Sequence, residues 1–207
     1  MLRRVQYETI LLFGAPGSGK GTQGKILGTI PGFFHFASGD VFRSIDLDSE
    51  LGKAFLEYSK RGDLVPDDLT IQLWSDHLEK IINLGRFRPE SDFLVLDGIP
   101  RTVSQAEMLS GHIHVHRIYH LSCPERAKLI ERMRARALKQ NRFDDANEEV
   151  IRHRLKAYDN ETKPVLDYYG KDVIVEIDAA QRPHKVLLDI LADLAGLKPA
   201  EQLVEDE

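Results

Sequence analysis

The sequence predicts an α/β protein built on a parallel sheet, and three observations carry that prediction. An apolar, β-rich run at residues 9–13 ends in glycines and feeds a helix-compatible stretch after Lys20. Three later apolar runs, at residues 93–96, 114–121 and 173–177, are each followed by another helix-compatible stretch. Strands that alternate with helices favour parallel pairing, because a parallel connection needs a crossover long enough to hold a helix.

In chain order, residues 9–13 read as a buried strand entering a loop, and residues 32–36 as a further candidate strand. Leu69, Leu73, Leu78 and Ile82 recur at helical spacing. The run at 93–96 is closed by Asp97 and Gly98. Ile151, Leu155, Tyr158 and Leu166 mark another helix, with Asp145 and Glu148 as its capping pair and Pro164 interrupting it near Lys163. Residues 186–194 form the last helical pattern, and 196–207, with Pro199 and a terminal Glu-Asp-Glu, read as a frayed tail.

At 207 residues the chain is expected to be one domain. Its 28 Lys and Arg against 33 Asp and Glu give a net charge of -5, which argues against nucleic acid as main partner while leaving room for a basic pocket. The one cysteine, Cys123, allows no internal disulfide, and the apolar run at 10–13 is too brief for a signal peptide or membrane span. A soluble, cytoplasmic protein without a membrane partner is expected. Trp74, Phe33, Phe34 and Phe36 read as packing residues. His112, His114 and His116 alternate and have the look of a metal site, although strand-edge or surface histidines are the commoner outcome of such a row.

The chemistry begins at Gly14-Ala15-Pro16-Gly17-Ser18-Gly19-Lys20. At this spacing glycines let successive backbone N–H groups wrap phosphate oxygens, and the lysine reaches the terminal phosphates. The preceding strand and following helix are the context the motif requires. Lys20 is followed by Gly21 and Thr22, whereas the general phosphate loop places Ser or Thr directly after the lysine, so magnesium is expected to be held largely through water. Asp97, at the end of an apolar strand, is the carboxylate placed to hold that hydrated ion. Ten of the 28 basic residues lie between Arg126 and Lys156, and Arg132 and Arg136 share one helix face, with Arg134 turned to solvent.

The stretch from Gly14 to Gln23 resembles the phosphate loop of the adenylate kinase family, and further segments follow in family order. They are Ser38-Gly39-Asp40-Val41-Phe42-Arg43, Leu64-Val65-Pro66-Asp67, Asp97-Gly98-Ile99-Pro100-Arg101-Thr102, Arg142-Phe143-Asp144-Asp145, Arg154-Leu155 and Thr162-Lys163-Pro164. The resemblance covers residues 9 to about 195. It implies a P-loop NTPase fold with a sheet of about five strands and two mobile inserts, an AMP-binding one at about 38–67 and a short lid at about 136–145. No structural zinc is expected in so short a lid.

By the same resemblance, Gly17, Ser18, Gly19, Lys20, Gly21 and Thr22 hold ATP, with Arg132 against its base. Arg136 contacts phosphate, Arg142 and Arg154 clamp the transferring group, and Ser38, Arg43, Val65, Gly98 and Arg101 hold AMP. Gln105 reads adenine, because its amide both donates and accepts, where relatives that take UMP or CMP carry Arg-Asn-x-x-Asn instead. The implied reaction is reversible, Mg²⁺-dependent transfer from ATP to AMP by a monomer. A kinase for another nucleoside monophosphate and an inactive nucleotide-binding regulator are the alternatives. Departures from the family pattern are Ser38 for threonine, Ile99 for an aromatic residue, and Asn141 for the glycine before Arg142.

Overall fold

The computed structural model describes residues 6–46, 48–140 and 147–197. Five strands, β1 (Tyr7–Phe13), β2 (Phe33–Ala37), β3 (Phe93–Asp97), β4 (Ile113–Ser122) and β5 (Ile174–Asp178), form one sheet in the order β2-β3-β1-β4-β5. Every pairing is parallel. The central strands are buried on both faces, as crossover helices require: Ile10, Leu11, Leu94, Val95, Leu96 and Ile118 are all at or near zero exposure. This is the α/β sheet expected of a P-loop protein.

The helices are α1 (Lys20–Leu27), α2 (Ser38–Arg43), α3 (Glu50–Arg61), α4 (Asp67–Asn83), α5 (Val103–Leu109), α6 (Arg126–Gln140), α7 (Glu148–Ala157), α8 (Val165–Tyr169) and α9 (Pro183–Leu194). In the segment between β2 and α4, Phe42 of α2 stacks on Phe55 of α3 at 5.1 Å. His153 Nε2 and Asp63 Oδ1, 2.8 Å apart, tie that segment to α7.

Several local expectations change. The inward stripe of α4 is Thr70, Trp74, Leu78 and Ile81, while Leu69, Leu73 and Ile82 are only half buried, so the helix is rotated from the apolar pattern toward Trp74. Asn147, not Asp145, caps α7: its Oδ1 accepts from the Glu149 N–H at 2.8 Å, and Asp145 lies outside the described residues. Ahead of Pro164 the chain does not simply stop. It widens into a π-turn over Tyr158–Thr162, with the Lys163 N–H bonded to the Tyr158 carbonyl, before α8 begins. A widened turn gives the proline ring room against the preceding carbonyls.

Trp74 is 2% exposed and meets Tyr7 and His112 edge-on, as packing predicts. Phe33 stacks on Phe93, Phe34 packs on Phe87, and Ile99 fills its position as a buried aliphatic side chain. Arg134 is exposed but ion-paired with Glu148, which links α6 to α7. His114 and His116 lie on β4 ahead of Ile118, where its pairing with β5 begins, so this stretch of the strand has β1 alone beside it and His114 is exposed, as a strand-edge or surface histidine would be. Among the described residues no helix is long and apolar enough to cross a membrane. Residues 198–207 of the expected tail lie outside the description.

Candidate active site

β1 ends at Phe13 because the chain must turn sharply, and Gly14, Gly17 and Gly19 all adopt positive φ. Two of these are imposed by packing as well as by conformation. A Cβ on Gly14 would sit 2.5 Å from the Leu121 carbonyl and one on Gly17 2.8 Å from the Leu129 carbonyl of α6, whereas Gly19 has open space around it and caps α1 at φ 104° with no side-chain hydrogen bond, leaving the helix start open to an anion. Ser18 is 3% exposed and its Oγ has no hydrogen-bond partner among the described residues. A buried hydroxyl without a partner costs free energy that a phosphate oxygen would recover.

Lys20 Nζ donates to the Gly14 carbonyl at 2.6 Å and the Ala15 carbonyl at 3.2 Å, folding the side chain back over the loop. Burial pushes its pKa down to about 8; Asp97 opposes the shift, and Arg101, Arg136 and Arg154 add to it. Cations from the ends of β3, α6 and α7 are thus close enough to be felt by the loop lysine. A polyanion placed between them would offset this repulsion further than Asp97 alone.

One cleft of about 770 Å³ at the carboxyl ends of the strands is lined by nearly every residue singled out from the sequence. On the loop side are Gly17, Ser18, Gly19, Lys20, Gly21, Thr22, Asp97, Arg132, Arg136 and Arg154; the lining also includes Ser38, Arg43, Val65, Gly98, Arg101 and Gln105. Arg142, Asn141 and the second half of the expected lid, residues 141–145, fall outside the described residues.

The wall opposite the loop is a closed hydrogen-bond network. Ser38 Oγ and Arg101 Nε both donate to the Gly98 carbonyl at 2.8 Å. Gln105, 1% exposed, accepts from the Arg101 N–H at 2.7 Å and donates through Nε2 to Asp67 Oδ1 at 2.7 Å. Its amide therefore keeps one N–H and one lone pair for a base. Thr102 caps α5 and donates to the second Asp67 oxygen at 2.9 Å. Arg43 donates to Asp40 at 2.5 Å; burial would raise the Asp40 carboxyl, but Arg43 and Lys25 outweigh it and hold it below the usual range.

Asp67 is the residue the sequence reading left without a role. It lies 38 residues from Gln105, and an acidic side chain in the first turn of a helix is fully explained by the helix dipole. The far end of the cleft was equally hidden. Arg132 donates to the Ala179 carbonyl at 2.8 Å and Gln23 Nε2 to the Pro183 carbonyl at 3.0 Å, so Ala179, Gln181, Pro183 and Val186 form a wall contributed by the turn after β5 and the start of α9.

Asp97 offers a hard carboxylate oxygen beside the loop. A Cβ on Gly21 would lie only 3.3 Å from its Oδ2, so the position that carries Ser or Thr in the general loop here leaves space next to Asp97. One carboxylate with room for water suits Mg²⁺, which gives up its hydration shell reluctantly.

The sequence profile of the adenylate kinase family matches residues 12–174. The chain is 42% identical to the adenylate kinase of Porphyromonas gingivalis over 168 residues, covering 78% of this chain and 82% of that one. It is 37% identical to the adenylate kinase of a Cyanothece species over 191 residues, 87% of this chain and 92% of the relative. Against the adenylate kinase of Kocuria rhizophila it is 35% identical over 191 residues, covering 89% and 97%. Similarity of this extent runs well beyond the phosphate loop and through both walls of the cleft, and on it the chain belongs to the adenylate kinase family.

Proposed function

We propose that this cleft performs the reversible transfer of the terminal phosphoryl group of ATP to AMP, giving two ADP, with the residues above in distinct roles. ATP phosphates lie in the loop from Gly17 to Thr22, where Ser18 Oγ and Lys20 Nζ donate to them, and the ATP base lies toward Arg132. AMP lies between Ser38, Val65, Gly98 and Gln105, its phosphate gripped by Arg43 and Arg101. An AMP phosphate oxygen attacks the terminal phosphorus as the bond to the bridging oxygen breaks, and ADP leaves with no covalent enzyme intermediate. Lys20 as a point charge, and Arg136 and Arg154 as guanidinium forks that stay charged and can contact two oxygens at once, serve the equatorial oxygens; the resemblance gives Arg142, outside the described residues, the same task.

Mg²⁺, held through water by Asp97, would neutralise phosphate charge. The observation that carries the reading is that Lys20, Arg43, Arg101, Arg132, Arg136 and Arg154, from separate stretches of the chain, line one cleft with the phosphate loop. Catalysis is then positioning and charge stabilisation, with the segments 38–67 and 136–145 closing to exclude water.

The buried, unpaired Cys123 and the ATP substrate support a cytoplasmic location. A coupled assay of ADP formation with AMP, CMP and UMP as acceptors tests the reading: strong preference for AMP is expected, and equal turnover on UMP would remove Gln105 from its role.

A further inference from the structure

At the end of the sheet away from the nucleotide cleft, β1 and β4 begin side by side, with Glu8 in register with His114. Between Thr9 and Ile10 the pairing jumps from Val115 to Arg117, so His116 is the extra residue of a bulge. Bulges re-aim side chains. Here the bulge brings His116 Nε2 onto the same carboxylate oxygen, Glu8 Oε2, that His114 Nδ1 approaches at 3.3 Å. The two imidazole centroids are 4.4 Å apart, and the three donor atoms lie within 4.8 Å of one another. Among the described residues this is the one such cluster of three.

We propose that Glu8, His114 and His116 bind one borderline divalent cation of the Zn²⁺ type. Two ligands about 2.1 Å from a tetrahedral metal are roughly 3.4 Å apart, close to the His114–Glu8 separation. Two imidazoles and a carboxylate form a three-ligand zinc set with the fourth position left for water. Imidazole donors select Zn²⁺ and its neighbours over Mg²⁺, so the magnesium that accompanies ATP does not compete. The site is partly preorganised: His116 packs edge-on against Phe93 at 5.5 Å, and its side chain and that of Glu8 are 16% and 20% exposed. His114, at 58%, leaves the site accessible from solvent. A bound ion would cross-link the starts of two central strands, so its effect falls on stability and leaves phosphoryl transfer alone.

The test is calorimetric titration of chelator-treated, tag-free full-length protein with Zn²⁺ and with Co²⁺, without nucleotide. One ion per chain with Kd below about 100 µM is expected. Co²⁺ should develop the visible absorption of a four-coordinate ion, and Zn²⁺ at about 100 Kd should raise Tm by roughly 5 °C. Glu8→Gln and His114→Ala should each weaken binding at least tenfold, with circular dichroism and turnover on Mg-ATP and AMP unchanged. No uptake at that concentration would show a hydrogen-bonded His–carboxylate cluster and overturn the proposal. Equal uptake by both variants would overturn it as well, by assigning the ion elsewhere.

Discussion

The two walls of the cleft are prepared for their substrates in opposite ways. On the phosphate-loop side, Ser18 Oγ is buried with no partner among the described residues and the Lys20 charge is disfavoured first by burial and further by three arginines, so the empty site carries a cost that an anion removes. Across the cleft, Ser38, Arg43, Arg101 and Gln105 already hydrogen-bond to Gly98, Asp40 and Asp67. That wall is satisfied when empty and, in the AMP-binding role proposed for it, has to exchange or share partners when AMP arrives. One site is strained toward its ligand and the other is held in shape by an internal scaffold, so substitutions on the two sides should differ in kind as well as in size.

Lys20→Ala gives the largest effect. It removes a charge aimed at the transferring group, so kcat should fall roughly 10²- to 10⁴-fold with the fold retained, measured by coupled assay and circular dichroism. A loss below about fivefold would break the distinction between the walls. Asp67→Asn comes next, since it weakens two charge-assisted bonds that hold Gln105 and Thr102. KM for AMP should rise roughly 10- to 100-fold, with KM for ATP little changed. Equal changes in both would show the scaffold to be general and not specific to AMP.

The pH dependence of ATP binding follows from Lys20. Its free-protein pKa of about 8 is raised when phosphates surround it, so binding takes up a proton. Affinity should be flat below about pH 7 and fall by up to about tenfold per unit as pH rises past 8, until the complex itself loses the proton. Calorimetry in buffers of different ionisation enthalpy measures the proton directly. The smallest effects have opposite signs. Ser18→Ala removes an unpartnered hydroxyl and should leave the free protein as stable or up to about 1 kcal/mol more stable, whereas Ser38→Ala loses its bond to Gly98 and should cost about 1 kcal/mol in urea unfolding.

Legibility followed the range of each interaction. The phosphate loop was readable because strand, glycines, lysine and helix are contiguous, and the five strands because each is a short apolar run. Helix α4 was placed correctly but its face was not: Trp74 won the core position over Leu69 and Leu73, and volume against Tyr7 and His112 decided that. The cap of α7 went to Asn147 because a cap is a matter of one backbone geometry, which a motif locates only to within a few residues. The histidine row was visible as an alternation, but its carboxylate partner lies more than a hundred residues earlier and meets it through a bulge.

By itself the sequence determined the parallel α/β class and the anion-binding loop, since these depend on residue type and local spacing, while the resemblance to a family named the arginines as candidates to surround a phosphate chain. Tertiary structure alone decided that Asp67 holds Gln105, that Ala179 and Pro183 complete the pocket beside Arg132, and that Glu8 meets His114 and His116. The reason is that strand order β2-β3-β1-β4-β5 and the register between strands are set by the packing of the whole core, and only that packing brings distant side chains within hydrogen-bond reach.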